Sequence, residues 1–315
     1  MDCEGCVLKL TSFLRMCNNK EELLEFLKSH NVIKRSVICS SCEKSATFDN
    51  HKLKWRCQKK SKVKKGHKIQ IISCTFSATI KKDTWFENAN ISIETACTFI
   101  GYFVTMSPPR QMFLERELEL ASKTVVDWSN FIREALLSWC IKNSKQIGGP
   151  NRVVEIDEAK FGKRKYHRGR VIDGQWLFGG FERDSTELFV IPVPDRSAAT
   201  LLNAIKVHIL PGTTIISDCW KAYNCLDTEG FQHLTVNHSY NFVDPDTGAH
   251  TQNIERTWRE VRSNIPRYGR REYHTDGYIA EFYFKRKYPD HTQRFHKIFE
   301  IIALDNEANR NNGTG

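Results

Sequence analysis

The order of strand-like and helix-like segments after residue 150 is the feature that most constrains the fold of this chain. Short apolar runs rich in Val, Ile and Phe, typical of buried strands, occupy residues 152–157, 175–183, 187–193 and 213–218. Helical spacing follows the third and fourth runs, and a further strand precedes a helix that starts near Gln252. This order predicts a mixed α/β sheet with helices outside it.

Two of these predicted core strands end on an aspartate. Asp157 ends "RVVEID" and Asp218 ends "TTIISD", and sites in open α/β sheets form at the carboxyl ends of strands. Glu255 lies beside the apolar stripe of the following helix, which could aim it at the same place. Such a cluster makes sense around Mg²⁺ or Mn²⁺, because neighbouring carboxylates repel without a cation. Ordinary alternatives are a turn at Asp157, a helix cap at Asp218 and an ion pair of Glu255 with Arg259.

Four segments carry a family resemblance. They read "VVEIDEAKFGKRKYHRGR", "WLFGGFERD", "ILPGTTIISDCWKAY" and "TVNHSYNFVDPDTGAHTQNIERTW". In this order, over roughly residues 150–300, they resemble the Merlin-type DDE transposase domain, also described as ISXO2-like, and its bacterial insertion-sequence relatives. The resemblance implies an RNase H-like fold in which Asp157, Asp218 and Glu255 form a catalytic triad that holds Mg²⁺ or Mn²⁺.

The resemblance also implies a function on double-stranded DNA. A transposase of this type cuts a phosphodiester at a terminal inverted repeat, and the freed 3′-hydroxyl then attacks target DNA. No covalent protein intermediate or nucleotide cofactor takes part. A homodimer is expected because two ends are cut and joined together, and likeness to eukaryotic Merlin elements suggests the nucleus. The alternatives are a transposase-derived, non-enzymatic DNA-binding protein and a nuclease of the same fold.

A cysteine-bearing segment, 36–90, predicts a small zinc module with β-rich pieces. The paired Cys-x-x-Cys spacing is typical of half a tetrahedral zinc site, and two later cysteines complete it if the residues between them form a looped insertion. His67 is the rival fourth ligand. Merlin-type proteins carry a zinc ribbon before the catalytic domain, a weaker resemblance that supports this interpretation. The predicted structural zinc ligands are Cys39, Cys42, Cys57 and Cys74.

The N-terminal segment 1–35 predicts two short helices. Cys3-x-x-Cys6 competes as a metal-binding pair, but the spacing of apolar residues around it predicts a helix with structural thiols. Residues 91–148 predict a helical region whose short helix, tight turn and longer helix outline a helix-turn-helix. The predicted catalytic domain follows at 150–304, and the polar tail 305–315 is expected to be disordered.

The distribution of charge favours a polyanionic partner. The chain contains 47 Lys and Arg against 37 Asp and Glu, and residues 51–82 contain eleven basic residues and no acidic one. Basic residues near the predicted catalytic strands are placed to contact the phosphates of DNA. These predicted DNA contacts are Lys163, Arg164, Lys165, Arg168, Arg170, Arg259 and Arg262.

The sequence also bears on the compartment. No apolar run approaches the roughly 20 residues that cross a bilayer, and the first residues lack the pattern of a secretory signal, so no membrane partner is expected. Eleven cysteines in such a chain predict reduced thiols and metal ligands instead of a disulfide framework. The sequence therefore predicts a soluble intracellular protein.

Overall fold

The computed structural model describes residues 2–65, 68–162, 174–237, 243–266 and 272–312. Some residues with a predicted role lie outside these ranges, and their roles stay predictions. These residues are His67, Lys163, Arg164, Lys165, Arg168 and Arg170.

The elements have the following bounds. The helices are α1 (Leu10–Cys17), α2 (Lys20–Ser29), α3 (Ile93–Thr105), α4 (Gln111–Glu117), α5 (Ser122–Asn143), α6 (Ala198–His208), α7 (Gln252–Asn264), α8 (Thr275–Lys287) and α9 (Arg294–Asn312). The strands are β1 (Thr47–Asp49), β2 (Lys54–Arg56), β3 (Lys60–Lys65), β4 (Lys68–Ser73), β5 (Ser77–Thr79), β6 (Ile147–Gly148), β7 (Val153–Phe161), β8 (Gln175–Glu182), β9 (Leu188–Val193), β10 (Ile209–Leu210), β11 (Thr214–Asp218) and β12 (Gln232–Val236). None of the described helices combines the length and the apolar character that a membrane crossing requires.

The chain divides into two compact units. The first unit comprises Met1–Met106, Arg110–Ala135 and Lys287–Gly315, and the second comprises Ser107–Pro109 and Leu136–Arg286. The first unit therefore combines early and late parts of the sequence.

Aromatic rings hold helices of the first unit together. The ring of Phe13 on α1 lies 4.6 Å from that of Phe295 on α9 and 5.6 Å from that of Phe26 on α2, centroid to centroid. Gly101 of α3 permits close approach, because a Cβ atom there would lie 2.9 Å from the Phe13 ring. The helix α9 thus packs in the first unit, whereas the sequence groups residues up to 304 with the preceding strands. It also continues to Asn312, through a segment whose composition predicts disorder.

The segment between the N-terminal helices and α3 is built from short strands. β1, β2 and β5 form an antiparallel sheet in which Trp55 packs on Phe48. β3 and β4 form a hairpin that runs from the Lys60–Ser73 pair to the Lys65–Lys68 pair. This hairpin is the looped insertion that the sequence requires between Cys57 and Cys74.

Among the described residues, the second unit contains a five-stranded sheet with the order β12-β11-β7-β8-β9. β7, β8 and β9 are antiparallel neighbours, whereas β11 runs parallel to both β7 and β12. This order and these directions are those of an RNase H-like sheet. The predicted fold class is therefore confirmed.

Both faces of the sheet are covered, so successive residues of β7 belong to different cores. Val154 and Ile156 pack in a cluster with residues of α6. Ala159 and Phe161 pack on the other face with residues of α7 and α8. Glu155 and Asp157 have the same parity as Ala159, and they therefore lie on the face that α7 covers.

A buried carboxylate fixes the start of α7 against β7. Glu155 is fully buried, and its Oε2 accepts hydrogen bonds from the backbone N–H groups of Asn253 (2.8 Å) and Ile254 (3.1 Å). Its Oε1 accepts from Asn253 Nδ2 at 2.7 Å and from Arg183 Nε at 2.8 Å. A negative charge is favourable there because the first N–H groups of a helix lack intrahelical acceptors.

Two elements of the second unit differ from the sequence prediction. β7 continues to Phe161, whereas the sequence predicts a strand that ends at Asp157. The strand continues because Ala159 and Phe161 add buried positions on the α7 face. The helix predicted after the strand-like run 213–218 is instead a pair of short 3₁₀ turns, Lys221–Tyr223 and Leu226–Glu229.

Glu155→Ala should destabilise the second unit. The substitution leaves Arg183 and the first N–H groups of α7 without a buried acceptor, and breaking a buried ion pair from one side typically costs about 3–5 kcal/mol. We expect a loss of this size in the free energy of unfolding, measured by urea titration with tryptophan fluorescence.

Asp184→Ala is the matched control, since Asp184 pairs with Arg152 at 3.3 Å on the exposed surface. Exposed pairs contribute at most about 1 kcal/mol. A Glu155→Ala protein as stable as this control would contradict the proposed role of Glu155.

Candidate active site and metal centres

Asp157 and Asp218 lie on neighbouring parallel strands and on the same face of the sheet. The last residues paired between β7 and β11 are Glu155 and Ile216, and each aspartate follows its paired residue by two positions. Because side chains alternate along a strand, each aspartate shares the face of that residue. The two strands are neighbours in the sheet, and the aspartates stand where the ladder between them stops.

The Asp157 carboxylate is held in a fixed position. Its Oδ2 accepts a hydrogen bond from Trp258 Nε1 at 2.9 Å, and its Oδ1 accepts from the backbone N–H of Glu158 at 2.8 Å. Burial raises the pKa of Asp157 to about 7, the Trp258 N–H opposes this rise, and the carboxylates of Glu158 and Asp218 add to it. A cation nearby would favour the ionised form.

The two neighbouring acids have different surroundings. Strand alternation predicts that Glu158 points to the opposite face, and its Oε1 accepts a hydrogen bond from the buried hydroxyl of Tyr223 there. Burial raises the pKa of Glu158, and Asp218 raises it further. Asp218 accepts from the backbone N–H of Trp220 at 3.0 Å, so it caps a turn as well as sharing the face of Asp157.

Glu255 lies on α7, the helix that packs on β7. It lies three residues before Trp258, which contacts Asp157, and its own side chain is exposed. Its Oε1 accepts from the Thr251 hydroxyl at 3.1 Å. The described groups of His, Cys, Asp and Glu whose ligand atoms all lie within 4.8 Å of one another do not include this triad. The structure thus aligns the two aspartates and places Glu255 on the adjacent helix, without gathering all three carboxylates.

Basic side chains lie on α7 and beside Glu158. Arg259 and Arg262 are exposed on α7, and the Arg262 guanidinium lies 5.1 Å from the centre of the Phe161 ring. The Arg196 guanidinium lies 4.2 Å from the Trp220 ring and lowers the pKa of Glu158. A stacked guanidinium keeps N–H donors at its edge for phosphate groups.

The four cysteines of the predicted zinc module come together. The Sγ atoms of Cys39 and Cys74 are 3.5 Å apart, and those of Cys42 and Cys57 are 3.4 Å apart. All four sulfur atoms lie within 4.8 Å of one another and belong to free thiols. Cys74 is therefore gathered with the other three, and the set has the composition of a tetrahedral structural metal site.

One of these thiols is poised to ionise. Burial by itself would raise the pKa of Cys39, but the Ser41 backbone N–H, at 3.4 Å from the sulfur, and the Cys74 thiol lower it to about 7. The thiolate is the form that binds metal.

The predicted helix around Cys3 and Cys6 is wrong. The helix α1 begins at Leu10, so both cysteines lie in the segment that precedes it. Their Sγ atoms lie within 4.8 Å of ring nitrogens of His30 and His296. The pair is thus part of a second Cys and His cluster.

Sequence reasoning missed several residues around the acids. In the sequence, Glu155 looks like an ordinary polar residue of an alternating strand. It is two positions before Asp157, however, so both side chains lie on one face of β7. Trp258 packs in the core, but its N–H bond to Asp157 is a tertiary contact that the local sequence does not show. Arg196 and Trp220 come together only through folding, since 24 positions separate them.

Solved structures with some likeness to this chain include retroviral integrases. The catalytic core domain of BIV integrase is 13% identical, with a TM-score of 0.30, and the match covers 43% of this chain and 84% of that one. The HTLV-2 integrase catalytic core domain in complex with magnesium, in its dimeric form, is 15% identical, with a TM-score of 0.29 and coverage of 44% and 88%. The strand order, not these matches, carries the fold assignment.

Two sequence matches relate this chain to transposase-like proteins. Residues 147–287 match the family model described as the ISXO2-like transposase domain. An uncharacterized transposase-like protein of Haemophilus influenzae is 25% identical over 96 residues, which are 30% of this chain and 76% of that protein. The family named by the sequence motifs is thereby confirmed for this segment. Residues 147–287 are therefore similar to the ISXO2-like transposase domain.

Proposed function

We propose that the protein is a DNA transposase. It would cut a phosphodiester at the terminal inverted repeats of a DNA element and join the freed 3′-hydroxyl to target DNA. The observation that carries the proposal is the alignment of Asp157 and Asp218 on one face of neighbouring parallel strands, under the helix that bears Glu255. It lies within a transposase domain, which makes this chemistry the best match to the geometry.

Divalent cations fit the donors at this site. Asp157 and Asp218 offer hard carboxylate oxygens on one face of neighbouring strands, and such oxygens are the ligands that Mg²⁺ and Mn²⁺ prefer. Asp157, Asp218 and Glu255 would hold the ions. Bound there, the ions would polarise the scissile phosphodiester and stabilise the charge that develops in the transition state.

The protein's own groups would orient these ligands. The Trp258 indole N–H and the Glu158 backbone N–H fix the Asp157 carboxylate, and the Trp220 N–H fixes that of Asp218. Each oriented carboxylate keeps acceptor capacity, since an ionised carboxylate has about four lone-pair sites. Glu255, exposed on α7, would complete the set by a side-chain rearrangement.

The substrate would be double-stranded DNA held through its phosphates. Arg259 and Arg262 are exposed on α7, the helix that bears Glu255. Arg196 lies beside Glu158, the acid that points to the other face of β7. We also propose a homodimer, because two element ends are processed together, and a nuclear location. The basic segment Lys163 to Arg170 is proposed from sequence as a further phosphate contact.

We further propose that Cys39, Cys42, Cys57 and Cys74 bind structural zinc. The set joins the segment before β1 to both ends of the β3–β4 pair, in a module built from short strands. Small modules of this kind usually need a metal or disulfides, because their apolar core is too small to offset the entropy of folding.

A non-enzymatic DNA-binding protein derived from a transposase is the second candidate. It is favoured by one observation, the absence of the triad from the described groups whose ligand atoms lie within 4.8 Å. The two candidates agree on DNA binding and differ on cleavage.

Asp157→Asn should abolish Mg²⁺-dependent cleavage. We expect a fall of at least about 100-fold in the nicking of a labelled duplex that carries the terminal repeat flanking the coding sequence, because a central charged ligand is lost. Binding of the same duplex should change little, measured by electrophoretic mobility shift.

Asp184→Asn, an exposed aspartate of the same unit, is the control and should cut normally. Full cleavage by Asp157→Asn would overturn the assignment of Asp157. A wild-type protein that binds the duplex but never nicks it would favour the non-enzymatic candidate.

Binding of Mn²⁺ should release a proton below pH 7. The metal-free Asp157 has a pKa of about 7, so below this pH the carboxyl carries a proton that the ion must displace. Affinity should therefore rise with pH by up to about tenfold per unit and level off above pH 7. Calorimetric titration at pH 6, in buffers of different ionisation enthalpy, measures the released proton. Equal proton release by the wild type and Asp157→Asn would contradict this account.

Paired substitution of Cys39 and Cys42 by Ser should remove one zinc per chain. Two thiolates supply half of a tetrahedral site, and their loss leaves too few ligands to hold the ion. Elemental analysis of the purified protein measures the change, and Cys225→Ser, at a thiol outside both clusters, should leave the content unaltered. An unchanged zinc content in the paired variant would refute the site.

A further inference from the structure

A second set of metal-ligating side chains comes together in the first unit. Cys3 and Cys6 precede α1, His30 follows α2, and His296 lies on α9. Their ligand atoms all lie within 4.8 Å of one another, and both histidines are buried, at 5% and 4% exposed. We infer that Cys3, Cys6, His30 and His296 form a second zinc site, distinct from the four-cysteine cluster.

The spacing of the ligand atoms matches a tetrahedral ion. His30 Nε2 is 3.1 Å from His296 Nδ1, and the sulfurs of Cys6 and Cys3 each lie 3.5 Å from one of these nitrogens. Cys6 Sγ is 3.9 Å from His296 Nδ1. Zinc bonds of about 2.0–2.1 Å to nitrogen and 2.3 Å to sulfur place tetrahedral ligand atoms roughly 3.3–3.8 Å apart. The four side chains already surround a space of the right size.

Both histidines have an outer partner that directs the other ring nitrogen inward. His30 Nδ1 lies 2.8 Å from the Phe26 carbonyl oxygen, to which it can donate its proton. His296 Nε2 lies 3.0 Å from Glu300 Oε1, a carboxylate acceptor. Ligating histidines usually make such contacts, which fix the tautomer and the ring orientation. With both protons engaged outward, the two inward nitrogens present lone pairs to each other.

A bound cation would stabilise these two inward-facing nitrogens. Without an ion, the described donors to these two nitrogens, 3.1 Å apart, are the weak S–H groups of Cys3 and Cys6, whereas one ion would accept both lone pairs. Cys3 and Cys6 are free thiols, so no disulfide uses them. Two thiolates and two imidazoles at tetrahedral spacing are a ligand set that suits zinc.

The backbone holds the cysteines in place independently of any ion. The Cys3 N–H donates to the Ser29 carbonyl at 2.9 Å, next to His30, and the Leu8 N–H donates to the Thr292 carbonyl at 3.0 Å, just before α9. Gly5 lies between the two cysteines with φ +140°, a conformation that other residues rarely adopt. The segment therefore turns so that both sulfurs reach the same point.

The site would act as a staple within the first unit. It joins Cys3 and His296, which are 293 positions apart, and binds the segment before α1 to α2 and α9. Metal binding that requires the folded arrangement stabilises that arrangement. Its role is structural and needs none of the acids on the sheet, so it stands or falls separately from the proposed transposase activity.

Metal counting on the full-length protein tests the inference. We expect two zinc ions per chain by native mass spectrometry and elemental analysis after dialysis. Cys3→Ser with Cys6→Ser, or His296→Ala, should leave one, and Cys39→Ser with Cys42→Ser should also leave one. His291→Ala, an exposed histidine near the start of α9, and Cys225→Ser are the matched controls and should keep both ions.

X-ray absorption at the zinc edge of the unmodified protein decides the matter if a variant fails to fold. One four-cysteine site and one mixed site average three sulfurs and one nitrogen around each zinc. A single zinc with sulfur ligands alone would overturn the inference. So would a second zinc that persists in folded protein lacking Cys3 and Cys6.

Discussion

The buried carboxylate of Glu155 ties helix α7 to the central strand β7, and the geometry of the proposed site depends on this tie. It accepts the first N–H groups of α7, and two residues later Asp157 accepts the indole N–H of Trp258. Two strand residues span roughly 6.6 Å, and the four to five helix residues from Asn253 or Ile254 to Trp258 span roughly 6–7.5 Å. The helix therefore runs alongside the strand in matched register, and this register sets where Glu255 lies.

Two acids on one strand face have opposite electrostatic surroundings. Arg183 and a helix N-terminus neutralise Glu155 within the protein. Asp157 accepts from two N–H donors in the described part of the chain, and burial, with two neighbouring carboxylates, raises its pKa to about 7. Strong departures of this kind concentrate at functional sites, because catalysis needs groups whose pKa values suit their task. Glu155 is thus best understood as a positioning residue and Asp157 as the candidate ligand.

The sequence predicts the sheet because its strands are short apolar runs that end in polar residues. It also predicts that Asp157 and Asp218 meet, since the carboxyl ends of adjacent parallel strands share one edge. The roles of Glu155 and Trp258 cannot be predicted from the sequence, because a buried glutamate in an alternating strand looks like an ordinary outward polar residue. The pairing of His30 with His296 cannot be predicted for another reason: 266 positions separate them, and no local spacing links them. Long-range partners of this kind appear only when α9 packs on the N-terminal helices.

The central claim is that the sheet and α7 build one divalent-cation site from Asp157, Asp218 and Glu255. Anomalous diffraction from crystals soaked with Mn²⁺ tests it most directly, because the ion is located without reference to activity. The account predicts a peak about 2.0–2.3 Å from carboxylate oxygens of both aspartates, with Glu255 drawn into the shell in the presence of DNA. Well-occupied Mn²⁺ peaks elsewhere, with none between Asp157 and Asp218, would contradict it.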